Sequence, residues 1–137
     1  MTSNRALIVS PSWAPFYEET AIPAAVSTGA QLHVSGHTGE DPDGRFPDEM
    51  EAQIRGTFRN LTETLEAAGS GWPDVVSMTS YNVGLRGHEE EVLRIAGEFI
   101  GAPFPAWTAV GVTELWPPEA LIEISCVALL PEATGKP

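Results

Sequence analysis

An α+β fold is expected for this chain, built as a mixed β-sheet with two helices packed on one face. Three observations predict it. Two segments, and only two, place apolar residues at helical spacing. Five short runs rich in Val, Ile, Thr and Tyr read as strands, in the order ββ, α, β, α, ββ. Several of those runs are apolar on both sides, which an isolated sheet covered by two helices cannot bury. The 137 residues fit one domain, 1–137, with an N-terminal arm at 1–17 and a flexible tail at 132–137.

Ser10 to Tyr17, with Pro11, Pro15 and three aromatics, reads as an irregular arm or an edge strand. Ala24 to Ser27 and Gln31 to Ser35 follow as a hairpin turned by Thr28-Gly29-Ala30. Leu32 and Val34 form the apolar face of the second strand, and Gln31, His33 and Ser35 its polar face, which His37 ends. Asp41-Pro42-Asp43-Gly44 is the centre of a turn-rich loop from Gly36 to Pro47. Asp48 is then placed to cap a helix whose inward stripe is Met50, Ile54, Phe58, Leu61 and Leu65, and which Gly69 ends. Val75 to Leu85 reads as a strand. His88 to Ile100 reads as a second helix with Val92, Ile95, Ala96 and Phe99 inward. Trp107 to Val112 and Ala120 to Leu130 are the last strands, separated by the turn Trp116-Pro117-Pro118-Glu119.

Seven basic against nineteen acidic side chains give a net charge of −12. Nucleic acid is a poor partner for such a chain, since phosphate neutralisation by Lys and Arg supplies most non-specific affinity. Anionic membranes are disfavoured for the same reason. The first ten residues lack the features of a signal peptide, and no run approaches the length of a membrane span. The single Cys126 excludes an internal disulfide, suits a reducing cytosol and reads as a small buried hydrophobe. A cytoplasmic location is expected. Self-association is the economical way to bury the second face of the sheet.

Glu123 interrupts the apolar strand Leu121 to Leu130. Burying a carboxylate without a partner costs several kcal/mol, roughly, so such an acid pairs, protonates or faces a wet cleft. It is either a strand-end acid tipped into solvent or an acid/base in a pocket. His37 is a candidate proton shuttle or a hydrogen-bonded surface residue. Neither His37 nor His33 has the ligand spacing that would argue for a metal, and nothing calls for a cofactor.

Ser35-Gly36-His37 with Gly39 and Asp43-Gly44, then Gln53, Asn60 and Ala67-Ala68-Gly69, then Phe104-Pro105-Ala106-Trp107 and Ile122-Glu123-Ile124, resemble the YjgF/Rid family over about residues 22–131. These elements come in the family's order, and the segment from Pro105 to Val112 is most similar to its YjgH-like branch. The family is also labelled L-PSP endoribonuclease. The resemblance implies a chorismate-mutase-like fold and a homotrimer with clefts between subunits. It implies imine and enamine hydrolysis, in which an arginine clamps the substrate carboxylate and a glutamate activates water. Glu123 matches that glutamate, and Ser35 and Gly36 match the strand end lining the cleft. Trp107 stands where the arginine is expected, Ile22 where a pocket tyrosine is, and Val92 where an asparagine is. Arg86 and Arg94, the nearest basic residues in sequence, match no clamp position.

With the clamp replaced, an uncharged, aromatic or cationic small molecule is expected rather than a 2-imino acid. Trp107 would offer it a π-face, or else serve as a core or interface residue. Tyr17 could reach the cleft from the arm or simply pack. A non-catalytic small-molecule-binding or interaction module is the alternative, and an endoribonuclease is the reading least compatible with the charge.

Overall fold

The computed structural model describes residues 4–131, so the tail expected at 132–137 lies outside the described residues. Strand β1 (Ala6–Ile8) lies at one edge of a six-stranded sheet. A 3-10 turn at Pro11–Trp13 and helix α1 (Ala14–Thr20) follow, so the segment expected as an irregular arm or strand is helical. Pro11 and Pro15 allow this because each occupies the first turn, where the missing N–H has no intrahelical partner to serve. The expected pair of helices therefore becomes three.

Strands β2 (Ala25–Ser27) and β3 (Gln31–His37) form the expected hairpin. Helix α2 (Met50–Ala67) buries Ile54, Phe58, Leu61 and Leu65. Its N-cap is Glu49, without a side-chain capping bond, rather than Asp48. The entry is set from a distance: the buried Gln53 donates its amide to the carbonyls of Pro47 (2.8 Å) and Glu119 (2.9 Å) and accepts the N–H of Leu121 (2.8 Å). Gly69, at φ +79°, ends the helical segment in the left-handed region that glycine tolerates best.

Strand β4 (Val75–Val83), helix α3 (Glu89–Phe99) and strand β5 (Ala106–Val112) form a crossover unit, and β4 and β5 pair in parallel. Strand β6 (Ile122–Leu129) then returns between β3 and β4, antiparallel to both. The sheet order is β1-β2-β3-β6-β4-β5.

Helices α2 and α3 cover one face, where Leu32, Val34, Met78, Ile122, Ile124, Cys126 and Ala128 meet the helical stripes. Burial pushes the Cys126 thiol up to about 12, which keeps it protonated and unreactive. The other face, with Thr79, Tyr81, Glu123, Ser125 and Val127, is only half-buried. The strand at Leu121 to Leu130, expected to be buried on both faces, is so on one face only in a single chain, and Leu129 is 48% exposed.

Candidate active site

The cleft begins at a break in β3. Val34 pairs with Cys126 and His37 with Ile124, so two residues of β3, Ser35 and Gly36, face one residue of β6. A bulge of this kind shifts the pleat by one residue. Gly36 thereby lies beside Glu123: a Cβ on Gly36 would collide with the Glu123 carboxyl, 2.7 Å from its Cδ. Glycine is required here for close approach. Gly36→Ala is expected to swing the Glu123 carboxyl aside while costing less than ~1 kcal/mol, because the obstructing group is the end of a flexible side chain. A 13C NMR titration of that carboxyl should move towards an ordinary glutamate value, with an almost unchanged melting curve; an unmoved titration would refute the contact.

Glu123 is half-buried and has no hydrogen-bond or ion-pair partner among the described residues. Burial raises its pKa, and the charge of Glu40 raises it further. It faces a cleft of about 340 Å3 whose walls include Ile22, Ser35, Gly36, Thr38 and Glu40. Ser35 donates its hydroxyl to the Pro23 carbonyl (2.8 Å), which fixes the strand end.

The aromatic wall comes from residues that sequence reasoning did not assign to the site. Trp13, Phe16 and Trp116 line the same cleft, with Trp13 edge-on to Phe16 at 5.2 Å and Phe16 edge-on to Trp116 at 5.8 Å. Trp13 is anchored by donating its indole N–H to the Ile22 carbonyl (2.8 Å). The Pro-and-aromatic composition of residues 10–17 was the available signal, and it pointed to Tyr17 as the arm's residue that either reaches the cleft or packs.

His37 takes a different position from the one its sequence alternation implies. The bulge turns it to the helix side, where it is 1% exposed. Its Nδ1–H donates to the Ser35 carbonyl (2.7 Å), and Nε2 accepts the Thr64 hydroxyl (2.8 Å), which in turn accepts that of Ser10 (3.0 Å). Trp13 stacks on the ring at 4.4 Å. Burial pulls its pKa down to about 4, so the ring is neutral near pH 7 and is no proton shuttle there.

Trp107 and Val92 are also away from the cleft within the chain. Trp107 pairs with Met78 on the helix-covered face, donates its indole N–H to Ser80 Oγ (2.9 Å) and lies edge-on to Phe104 at 5.7 Å. Glu123 pairs with Tyr81 on the opposite face. The expected arrangement of Glu123 beside the Trp107 indole is therefore absent within the single chain. Val92 is 4% exposed in the helix–sheet core. Tyr17, on α1, is half-buried and lines no cleft with Glu123, whereas its neighbour Phe16 does.

The motif residues Gln53 and Asn60 turn out to support the site. Asn60 donates its amide to the carbonyls of Thr38 (2.8 Å) and Glu40 (3.0 Å), and Thr38 donates its hydroxyl to Glu40 Oε1 (2.7 Å). Asp41 closes the following turn by accepting the N–H groups of Asp43 and Arg45, each at 2.9 Å. Among the described residues no group of His, Cys, Asp and Glu could hold a metal ion.

These features define an α+β protein with a cleft at the bulged end of its central strands, containing a single unpartnered carboxylate among the described residues. The family model described as Endoribonuclease L-PSP matches residues 17–130, and the chain belongs to this family, the YjgF/Rid family. It is 37% identical over 117 residues to the RutC family protein YjgH of Escherichia coli K12, covering 85% of this chain and 88% of that protein. The solved structure of protein YjgH superposes with a TM-score of 0.85 at 34% identity, covering 94% of this chain and 98% of the other. A 2-iminobutanoate/2-iminopropanoate deaminase of Dermatophagoides farinae is 28% identical over 118 residues, covering 85% and 86% of the two chains.

Proposed function

We propose that this protein is a hydrolytic deaminase that acts on the C=N bond of an uncharged, aromatic or cationic small molecule, with Glu123 activating water. The observation that carries this reading is the Glu123 carboxyl itself: half-buried, unpartnered, raised in pKa and held over Gly36 at the wall of a cleft. A carboxyl raised towards neutrality can act first as base and then as acid. As carboxylate it takes a proton from water while the water oxygen adds to the imine carbon. As carboxylic acid it returns that proton to nitrogen, which completes a carbinolamine; the carboxylate then takes the carbinolamine hydroxyl proton and passes it to the amino nitrogen, so that ammonia leaves as the carbonyl forms. The deaminase relative supports this type of chemistry.

A 2-imino acid is disfavoured as substrate. The resemblance puts the carboxylate-clamping arginine at Trp107, whose side chain is committed to Ser80 and Phe104. Charge-assisted bonds to a carboxylate contribute about 1.5–3 kcal/mol each, so the loss of a bidentate clamp is large. Among the described residues no Lys or Arg lines the cleft in its place.

The test is ammonia release from a panel of imines generated in solution by an amine or amino-acid oxidase, with dioxygen as oxidant, from aromatic, cationic and carboxylate-bearing amines. Glu123→Gln is expected to lower the enzyme-dependent rate by about 10²–10⁴-fold, the usual contribution of a general acid/base. An unaltered rate in that variant would exclude the mechanism. A homotrimer with inter-subunit clefts, in the cytoplasm, belongs to the same proposal. The half-buried open face with Tyr81, Val110, Val112 and Val127 supports assembly. A monomeric mass in sedimentation at micromolar concentration would contradict it.

A further inference from the structure

From Glu40 we infer a specificity-determining residue that makes this cleft select a cationic aromatic molecule, its positive group held between Glu40 and Glu123 and its ring against the aromatic wall. The inference rests on the reading of the Glu123 cleft as the active site and narrows its substrate class.

Glu40 is held in place from three sides. Thr38 donates its hydroxyl to the carboxylate, Asn60 holds the backbone carbonyls on both sides of Gly39, and Gly39 is packed against the backbone of Gln53. A surface loop acid with no task would not need this support. Glu40 lines the cleft with Glu123 and is close enough for its charge to oppose Glu123 deprotonation. Among the described residues no basic side chain lines this cleft, nor the adjoining hollow with Tyr81, Glu114 and Ser125. An anion therefore meets two carboxyls and no counter-charge. A neutral ligand gains nothing from them, while a cation relieves their mutual repulsion.

The aromatic wall makes an independent case for a ligand. Trp13 meets Phe16 and Phe16 meets Trp116 edge to face, Trp13 also lies against His37, and Trp116 is 72% exposed at the rim, so its indole is the open surface of the wall. An indole that open to water is poorly used for folding, and ring faces attract cations. A bound cation would also favour the carboxylate form of Glu123, so that the base is in place when the substrate is.

Equilibrium titration with three flat probes of one shape tests this: benzamidine (cation), benzamide (neutral) and benzoate (anion), followed by calorimetry with the full chain. Benzamidine is expected to bind at least ~10-fold more tightly than benzamide, and benzoate more weakly than both. Glu40→Gln should shrink the benzamidine preference to less than ~3-fold and leave benzamide affinity unchanged. Trp116→Ala, at an exposed position, should weaken benzamidine and benzamide alike. Equal affinity for benzamidine and benzamide, an undiminished preference in Glu40→Gln, or no benzamidine binding at millimolar concentration would each overturn the inference. Turnover that depends on Glu123 without any charge preference would sink this inference alone. A charge preference that depends on Glu40, without turnover of any imine, would sink the hydrolytic reading alone.

Discussion

Gly39→Ala is expected to destabilise the protein by about 3 kcal/mol, the upper end of what forcing a methyl into a packed site costs. The added Cβ would collide with the Gln53 carbonyl oxygen and lie 2.8 Å from its carbon and 2.9 Å from its Cα. Backbone cannot swing aside as a side chain can. The contact is reciprocal, since a Cβ on Gly56 would lie 2.5 Å from the Gly39 carbonyl oxygen. Two glycines thus let the loop bearing Glu40 rest directly on α2, one turn from the Gln53 side chain that ties Pro47, Glu119 and Leu121 together. Thermal melting should fall by roughly 10 °C for a domain of this size. Gly71→Ala is the control: its φ is extended and the nearest atom to the new methyl is Pro73 Cδ at 3.6 Å, so little change is expected. Equal losses in the two variants would refute the close-contact explanation.

Acid should destabilise the fold through His37. Its folded-state pKa of about 4 lies below the ordinary 6.5, so between these values the unfolded chain binds a proton that the folded chain does not. Stability is therefore fully present above pH 6.5 and falls as the pH drops towards 4, by about 3 kcal/mol in total. Glu123 acts with the opposite sign. Its raised pKa makes the folded state more stable at low pH and costs stability as the pH rises through its folded value; Glu89 and Glu98, both lowered, lose stability in acid, but only as the pH falls below their ordinary 4.5, so the loss between pH 7 and pH 4.5 is assigned to the histidine. Urea unfolding at pH 7 and pH 4.5 measures the effect. His37→Gln should flatten the dependence, and an undiminished slope in that variant would show that another group is responsible.

Much of the fold was legible in the sequence because its determinants are local. The stripe Ile54, Phe58, Leu61 and Leu65 is a helix face wherever the helix packs. Thr28-Gly29-Ala30 makes a hairpin turn from its own chemistry, and Gly29, at φ +100°, takes a conformation that only glycine adopts at no cost. The charge of −12 makes polyanions poor partners without reference to shape. Glu123 stood out because an acid inside an apolar strand is costly in any context.

What the sequence alone could not decide is which way side chains point where strands meet. Alternation along β3 puts His37 with His33 on the polar side, and only the pairing with β6 reveals the bulge that turns it inward. The insertion of β6 between β3 and β4 sets Glu123 opposite Tyr81, while the parallel register of β4 with β5 sets Trp107 beside Met78 on the other face. The segment read as an irregular arm or an edge strand became a 3-10 turn and a helix that carry Trp13 and Phe16 to the cleft, with Trp13 anchored by the Ile22 carbonyl nine residues on. A repeat of two residues is local, but its phase depends on partners distant in sequence, so the sequence determined that this chain has an isolated acid and many indoles. The tertiary pairing decided which indoles that acid meets.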